Sequence, residues 1–125
     1  MASSQPKPLR LSPRMRLRQS REFAQARQQG RRVVQGCLIA NWLELAPGVP
    51  SRVGVIASRR IGGAVVRNRA RRLLREVFRL HQHQFRAPVA LVLVARPSIV
   101  GLGVRRVARD FLAALHLGRL LSPQP

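Results

Sequence analysis

The sequence predicts an α+β fold: a two-layer α/β sandwich, with helices packed on a mixed β-sheet in the chain order α-β-β-α-β-α. Three observations predict it. Apolar residues recur at helical spacing within 64–80 and again within 104–115, the mark of one buried helix face. Two stretches, "VVQGCLIANWLEL" and "PVALVLVAR", are β-branched and apolar nearly throughout, as strands buried on both sides are. The length, 125 residues, suits one domain with a modest core.

The elements follow from local chemistry. Residues 1–15 are rich in Pro, Ser and Arg and read as a disordered basic arm. Residues 16–119 form the single domain, and 120–125 a frayed tail. Ser20 is a good N-cap for a short helix, Arg21–Gln29, closed by Gly30; Phe23 and Ala26 would face the core. Val33–Leu45 reads as one strand, or as two if it splits, and "APGVP" ends it with turn residues. "RVGVIASRR" is the next strand, and five connecting residues suit a hairpin between the two. Gly62 and Gly63 break that strand and open a helix over 64–80. Pro88–Arg96 is a buried strand. "VRRVARDFLAAL" closes the fold as a helix, with Val104, Val107, Ala108, Phe111, Leu112 and Leu115 inward and Gly118 as its C-cap.

Charge narrows the function. Hydrophobic residues make up 46% of the chain, so a folded core can form, yet the net charge is +20. Such an excess destabilises a compact state by self-repulsion and calls for an anionic partner. Of 24 cations, 23 are arginine and one is Lys7. Arginine's planar fork pairs with phosphate bidentately and stacks on bases, which favours nucleic acid, though a GC-rich coding sequence would also raise its share. Cys37 is the only cysteine, so no internal disulfide can form and a reducing compartment fits. No apolar run is long enough to span a membrane, and the N-terminus lacks the apolar core of a secretory signal. The expected location is the cytoplasm.

The helix over 64–80 resolves how charge and core coexist. At about 100° per residue, Val66, Ala70, Leu73, Leu74 and Val77 share one face, with Phe78 at its edge. Arg67, Asn68, Arg71, Arg72, Arg75 and Arg79 spread over the opposite half, with Arg69 further round. Glu76 can pair with Arg72 or Arg79 but cannot neutralise six arginines. Solvated helix faces normally mix signs; this one hardly does, so it reads as a polyanion-binding face. Backbone N–H groups after Gly62-Gly63, flanked by Arg59 and Arg60, add a possible phosphate contact.

"RVGVIASRRIGGAVVRNRARRLLREVFR" closely resembles the signature of the bacterial ribonuclease P protein component, whose core is an Arg-Asn-Arg triplet on a helix, here Arg67, Asn68 and Arg69. "RLRQSREFAQARQQGRRV" resembles the family's N-terminal helix. "VLVARPS" and the last helix fit in order, so the resemblance covers about residues 15–118. It implies a left-handed βαβ crossover, against the usual right-handed rule. It also implies that the protein binds a large catalytic RNA, and that the complex removes the 5′ leader from precursor tRNA. The RNA would carry the chemistry with Mg²⁺, bound mainly by the RNA. The partners implied are the catalytic RNA subunit and precursor tRNA, with no membrane and no obligatory protein partner.

By position, Arg67, Asn68, Arg69, Arg71, Arg72 and Arg75 would contact the catalytic RNA, and Arg59 and Arg60 match the family's basic pair after the strand. The leader groove would lie on the sheet face beside the first helix, where Phe23 matches a groove aromatic. Arg27 stands where a second aromatic is frequent, and Asn41 where a strand Tyr or Phe is frequent. Trp42 should point to the other side of a regular strand. Gly63 replaces a frequent Asn.

Other functions fit less well. The acids are only Glu22, Glu44, Glu76 and Asp110, on different elements, whereas a two-metal nuclease needs converging carboxylates. No Ser/His/Asp or Cys/His arrangement appears, so no catalytic residue is expected in the polypeptide. His81 and His83 lack a third metal ligand nearby and read as a solvated helix end. Cys37 reads as a small core residue. A ribosomal protein would share the composition but not the Arg-Asn-Arg signature. A membrane-surface protein would carry its charge on a free amphipathic helix rather than on one packed against a sheet.

Overall fold

The apolar strand 89–95 organises the molecule. In the computed structural model, which describes residues 20–122 and side chains from Ala24 onward, β4 (Val89–Ala95) is buried along almost its whole length. It pairs with a neighbour on each side. The sheet order is β1-β2-β4-β3, with β1 Arg31–Gln35, β2 Leu38–Glu44 and β3 Arg52–Ile56. β2 pairs antiparallel with both β1 and β4, and β3 runs parallel to β4.

This corrects the expected hairpin: β2 and β3 do not pair, because β4, apolar on both faces, takes the central position between them. β3, which begins at Arg52 and carries Gly54, goes to the edge. β3 also ends earlier than its sequence suggests, at Ile56, and Arg59–Ile61 forms a short 3₁₀ turn. The parallel pair β3–β4 is joined through α2 (Ala64–His81), the βαβ unit for which the resemblance implies a left-handed crossover.

The segment 33–45 splits into the β1–β2 hairpin. Gly36 turns it at φ 55°, in the left-handed region. The turn is held from outside: Asp110 Oδ2 accepts the Cys37 N–H at 3.0 Å, and a Cβ at residue 36 would strike that carboxylate. Arg96 Nη1 donates to the Gly36 carbonyl at 3.0 Å.

The two faces of the sheet are covered by different helices. α2 packs on β3 and β4, and α3 (Val104–Leu117) on β1 and β2. Between them lies the main core, including Leu38, Trp42, Leu74, Phe78, Leu91, Leu93, Phe111 and Leu115. α1 (Ser20–Gln29) crosses the other face, where Ala26 packs with Ala90 and Val92. Val104, expected inward, is exposed at the first residue of α3.

Gly118 is the C-cap of α3, but at φ −82° it is not left-handed; the left-handed residue is Arg119, at φ 59°. The tail expected from residue 120 is pinned as far as Ser122. Leu120 is fully buried, Leu121 bridges to Phe85, and Ser122 N donates to the Gln84 carbonyl at 2.7 Å. The arm expected over 1–15 lies outside the described residues.

Candidate nucleic-acid interface

Packing decides which face of α2 is left for a ligand. Ala70, Leu74, Val77 and Phe78 are buried, with Val66 and Leu73 partly so against the same core. The opposite face holds the charge. Arg59, Arg60, Asn68, Arg69 and Arg72 are exposed, while Arg67, Arg71, Arg75 and Arg79 are half-buried. Ile61 is buried within its 3₁₀ turn and so fixes the position of the two arginines before it.

Local hydrogen bonds order part of this surface. Arg67 Nη1 donates to the Gly62 carbonyl at 2.9 Å, tying the helix to the turn before it. Arg71 Nη1 donates to Asn68 Oδ1 at 2.5 Å, which aims the asparagine along the helix face. Arg79 grips Glu76 with Nε at 3.0 Å and Nη2 at 2.6 Å. That bond holds the Glu76 carboxyl below its ordinary range and raises the Arg79 guanidinium further. The charge of Arg79 is thus answered by Glu76. α2 has no acidic residue in its first turn, and Gly63 caps it without a side chain. A cationic face of this kind binds phosphate through charge-assisted fork contacts.

The residues expected to hold a leader are arranged differently. Arg27 is exposed on α1. Asn41 lies on the α1 side of the sheet, directly opposite Val92 in register, but is only 4% exposed, so it offers little surface. Trp42 points to the α3 side and is buried there, as strand alternation requires. Phe23 lies on α1, and its side chain is outside the described residues. The α1 face also carries a row that sequence reasoning missed. Val34, Ile39, Val94 and Ile56 align in register across all four strands. Val34 is 48% exposed and the other three are partly open. Each is visible as an apolar strand residue; that they form one row follows only from the strand order.

A sequence profile described as Ribonuclease P matches residues 11–117. The chain belongs to the ribonuclease P protein family. It is 38% identical over 110 residues to the ribonuclease P protein component of Desulfovibrio desulfuricans, covering 85% of each chain. To that of Syntrophomonas wolfei it is 34% identical over 112 residues, covering 90% of this chain and 93% of the relative. The ribonuclease P protein of Staphylococcus aureus superposes with a TM-score of 0.75 at 18% identity, over 86% of this chain and 98% of that one. That of Thermotoga maritima gives 0.71 at 23% identity, over 86% and 98%. The ribonuclease P fold is therefore shared with both, and the sequence relatives carry the family assignment.

Among the described residues no group of three or more His, Cys, Asp or Glu side chains could hold a metal ion. His81 is half-buried, with Gln84 Nε2 2.9 Å from its Nδ1; burial, helped by His83, lowers its pKa. Cys37 is buried, and its thiol is pushed up to about 12 by desolvation and then by Asp110. The raised pKa keeps Cys37 a thiol rather than a thiolate nucleophile. No described helix is long and apolar enough to cross a membrane.

Proposed function

We propose that the protein is the RNA-binding subunit of a cytoplasmic ribonucleoprotein that removes the 5′ leader of precursor tRNA. The α2 face, with Arg59 and Arg60 before it, grips the catalytic RNA. Arg67, Asn68, Arg69, Arg71, Arg72 and Arg75 supply the contacts, and Arg79, bound to Glu76, contributes least. The leader lies on the α1 face, where Phe23 and Arg27 would meet bases and the apolar row of Val34, Ile39, Val94 and Ile56 would form the floor in place of the absent aromatics. Asn41 sits too deep to stack on a base. The RNA, with its own Mg²⁺, cleaves the phosphodiester; the protein raises affinity for the substrate.

One observation carries this reading: a family helix packs its apolar side into the core and presents arginines that have a single glutamate among them. The test is reconstitution with the catalytic RNA and a precursor tRNA at low Mg²⁺. Cleavage at the leader junction should require the RNA and be stimulated by the protein. Arg69→Ala with Arg72→Ala should weaken RNA binding and leave the melting temperature unchanged, because both side chains are exposed. Cleavage by the polypeptide alone, or unaltered affinity in the double variant, would overturn the reading.

A further inference from the structure

α2 accounts for only part of the charge. α3 also places arginines outward, over the other half of the sheet. Arg105 and Arg109 lie one turn apart on its solvent side, opposite the buried Val107, Phe111, Ala114 and Leu115. Arg106 stands beside them, half exposed, and Arg96 lies at the adjacent Gly36 turn.

This placement opposes the helix. Arg105 and Arg106 fall in the first turn, where the helix dipole is already positive and no acid answers it. Arg105 and Arg109 repel each other at i,i+4 spacing. An arginine-rich composition explains how many arginines there are, not like charges stacked in a first turn.

Nearby acids do not cancel them. Asp110, the one acid of α3, turns inward to the Cys37 N–H and is 5% exposed. It lies 3.6 Å from Arg106, leaving Arg105 and Arg109 on the far side. Glu44 pairs with Arg86 and Glu76 with Arg79. Among the described residues, no ion pair involves Arg105 or Arg109.

We propose that the outer face of α3, centred on Arg105 and Arg109 and flanked by Arg106, is a second surface for an RNA phosphate backbone. It rests on the RNA-binding reading above and extends it: the protein touches RNA on two helices, over opposite halves of one sheet, and so clamps two stretches of backbone. A lipid surface suits it less, because the apolar side of α3 is committed to the core and cannot enter a bilayer.

The test compares Arg105→Gln/Arg109→Gln with Arg69→Gln/Arg72→Gln and with the fourfold variant. Each is titrated with the catalytic RNA across a salt series, and circular dichroism melts confirm folding. Loss of two phosphate contacts on α3 should reduce the log–log salt slope by about 1.4–1.8 and weaken low-salt binding roughly tenfold. The two pairs of losses should multiply in the fourfold variant. Arg105→Lys/Arg109→Lys should keep the slope, because lysine still neutralises phosphate.

If the α3 pair leaves slope and affinity unchanged while the α2 pair lowers both, the second surface is refuted and the RNA-binding reading stands. If neither pair matters, both fall. If the α3 pair lowers binding only to vesicles containing phosphatidylglycerol, the surface meets a membrane and the inference is overturned.

Discussion

Replacing Gly118 with alanine should destabilise the domain, although the backbone there would ordinarily welcome it. Gly118 sits at φ −82° and ψ −2°, a conformation alanine adopts without strain. At such a site Gly→Ala normally stabilises by about 0.4–1 kcal/mol, because the unfolded chain loses freedom. Packing reverses the sign. A Cβ at 118 would strike Trp42 Cη2 and lie 2.5 Å from Cζ2. The indole is 1% exposed within the main core, so it has nowhere to swing.

Overpacking of this kind costs about 1–3 kcal/mol; against a rigid, buried indole the upper half applies, about 2–3 kcal/mol, so the net loss should be roughly 1–2.6 kcal/mol after the entropic gain. For a chain of this size each 1 kcal/mol moves Tm by about 3–5 °C. The assay is thermal and urea unfolding of Gly118→Ala, Trp42→Leu and the double variant. The double variant should lose less than the sum of the singles, since the smaller side chain makes room for the methyl group. A Gly118→Ala protein as stable as its parent, or a cycle with no coupling, would refute the steric argument.

Three further outcomes are expected. Leu74→Ala, at a fully buried position of α2, should cost about 2–5 kcal/mol in urea unfolding; a loss below 1 kcal/mol would mean α2 is not anchored as described. Cys37 should resist thiol reagents at pH 8 in the folded protein and react on unfolding, because its pKa is near 12 and it is buried; rapid native labelling would contradict that burial. The His81 pKa is lower folded than unfolded, so between the two values the unfolded chain binds more protons. Stability should therefore fall as pH drops below the ordinary histidine value of 6.5, and His81→Gln should flatten that fall; identical pH profiles would show that His81 does not contribute.

The helices were legible in the sequence because their signals are local. The 3.6-residue spacing of Ala70, Leu74 and Val77 places the buried face of α2, and so places the arginines opposite it. The uninterrupted "VALVLVA" marks β4 as an interior strand. Strand order was not legible. Five residues between β2 and β3 permit a hairpin, and only competition for β4, remote in sequence, excludes it. The apolar row on the α1 face was hidden for the same reason. Spacing places the arginines of α2 opposite its buried side, but the pairing of Arg79 with Glu76 depends on rotamers that spacing cannot choose. Gly118 shows a different limit: its role as a cap was visible, whereas the indole that requires glycine there comes from a strand 76 positions earlier.

The central position of β4 also bears on how the chain is made. Synthesis is vectorial, and β1, β2, β3 and α2 all emerge before the strand that β2 and β3 pair with and that α2 packs on. Until Ala95 has left the ribosomal tunnel, the arginines of α2 are held on a segment whose sheet is incomplete, at the surface of the cell's most abundant RNA. Long-range pairing is slow to form, and here it cannot begin early. The nascent polypeptide therefore passes through an interval in which its charge is displayed before the sheet beneath α2 is complete.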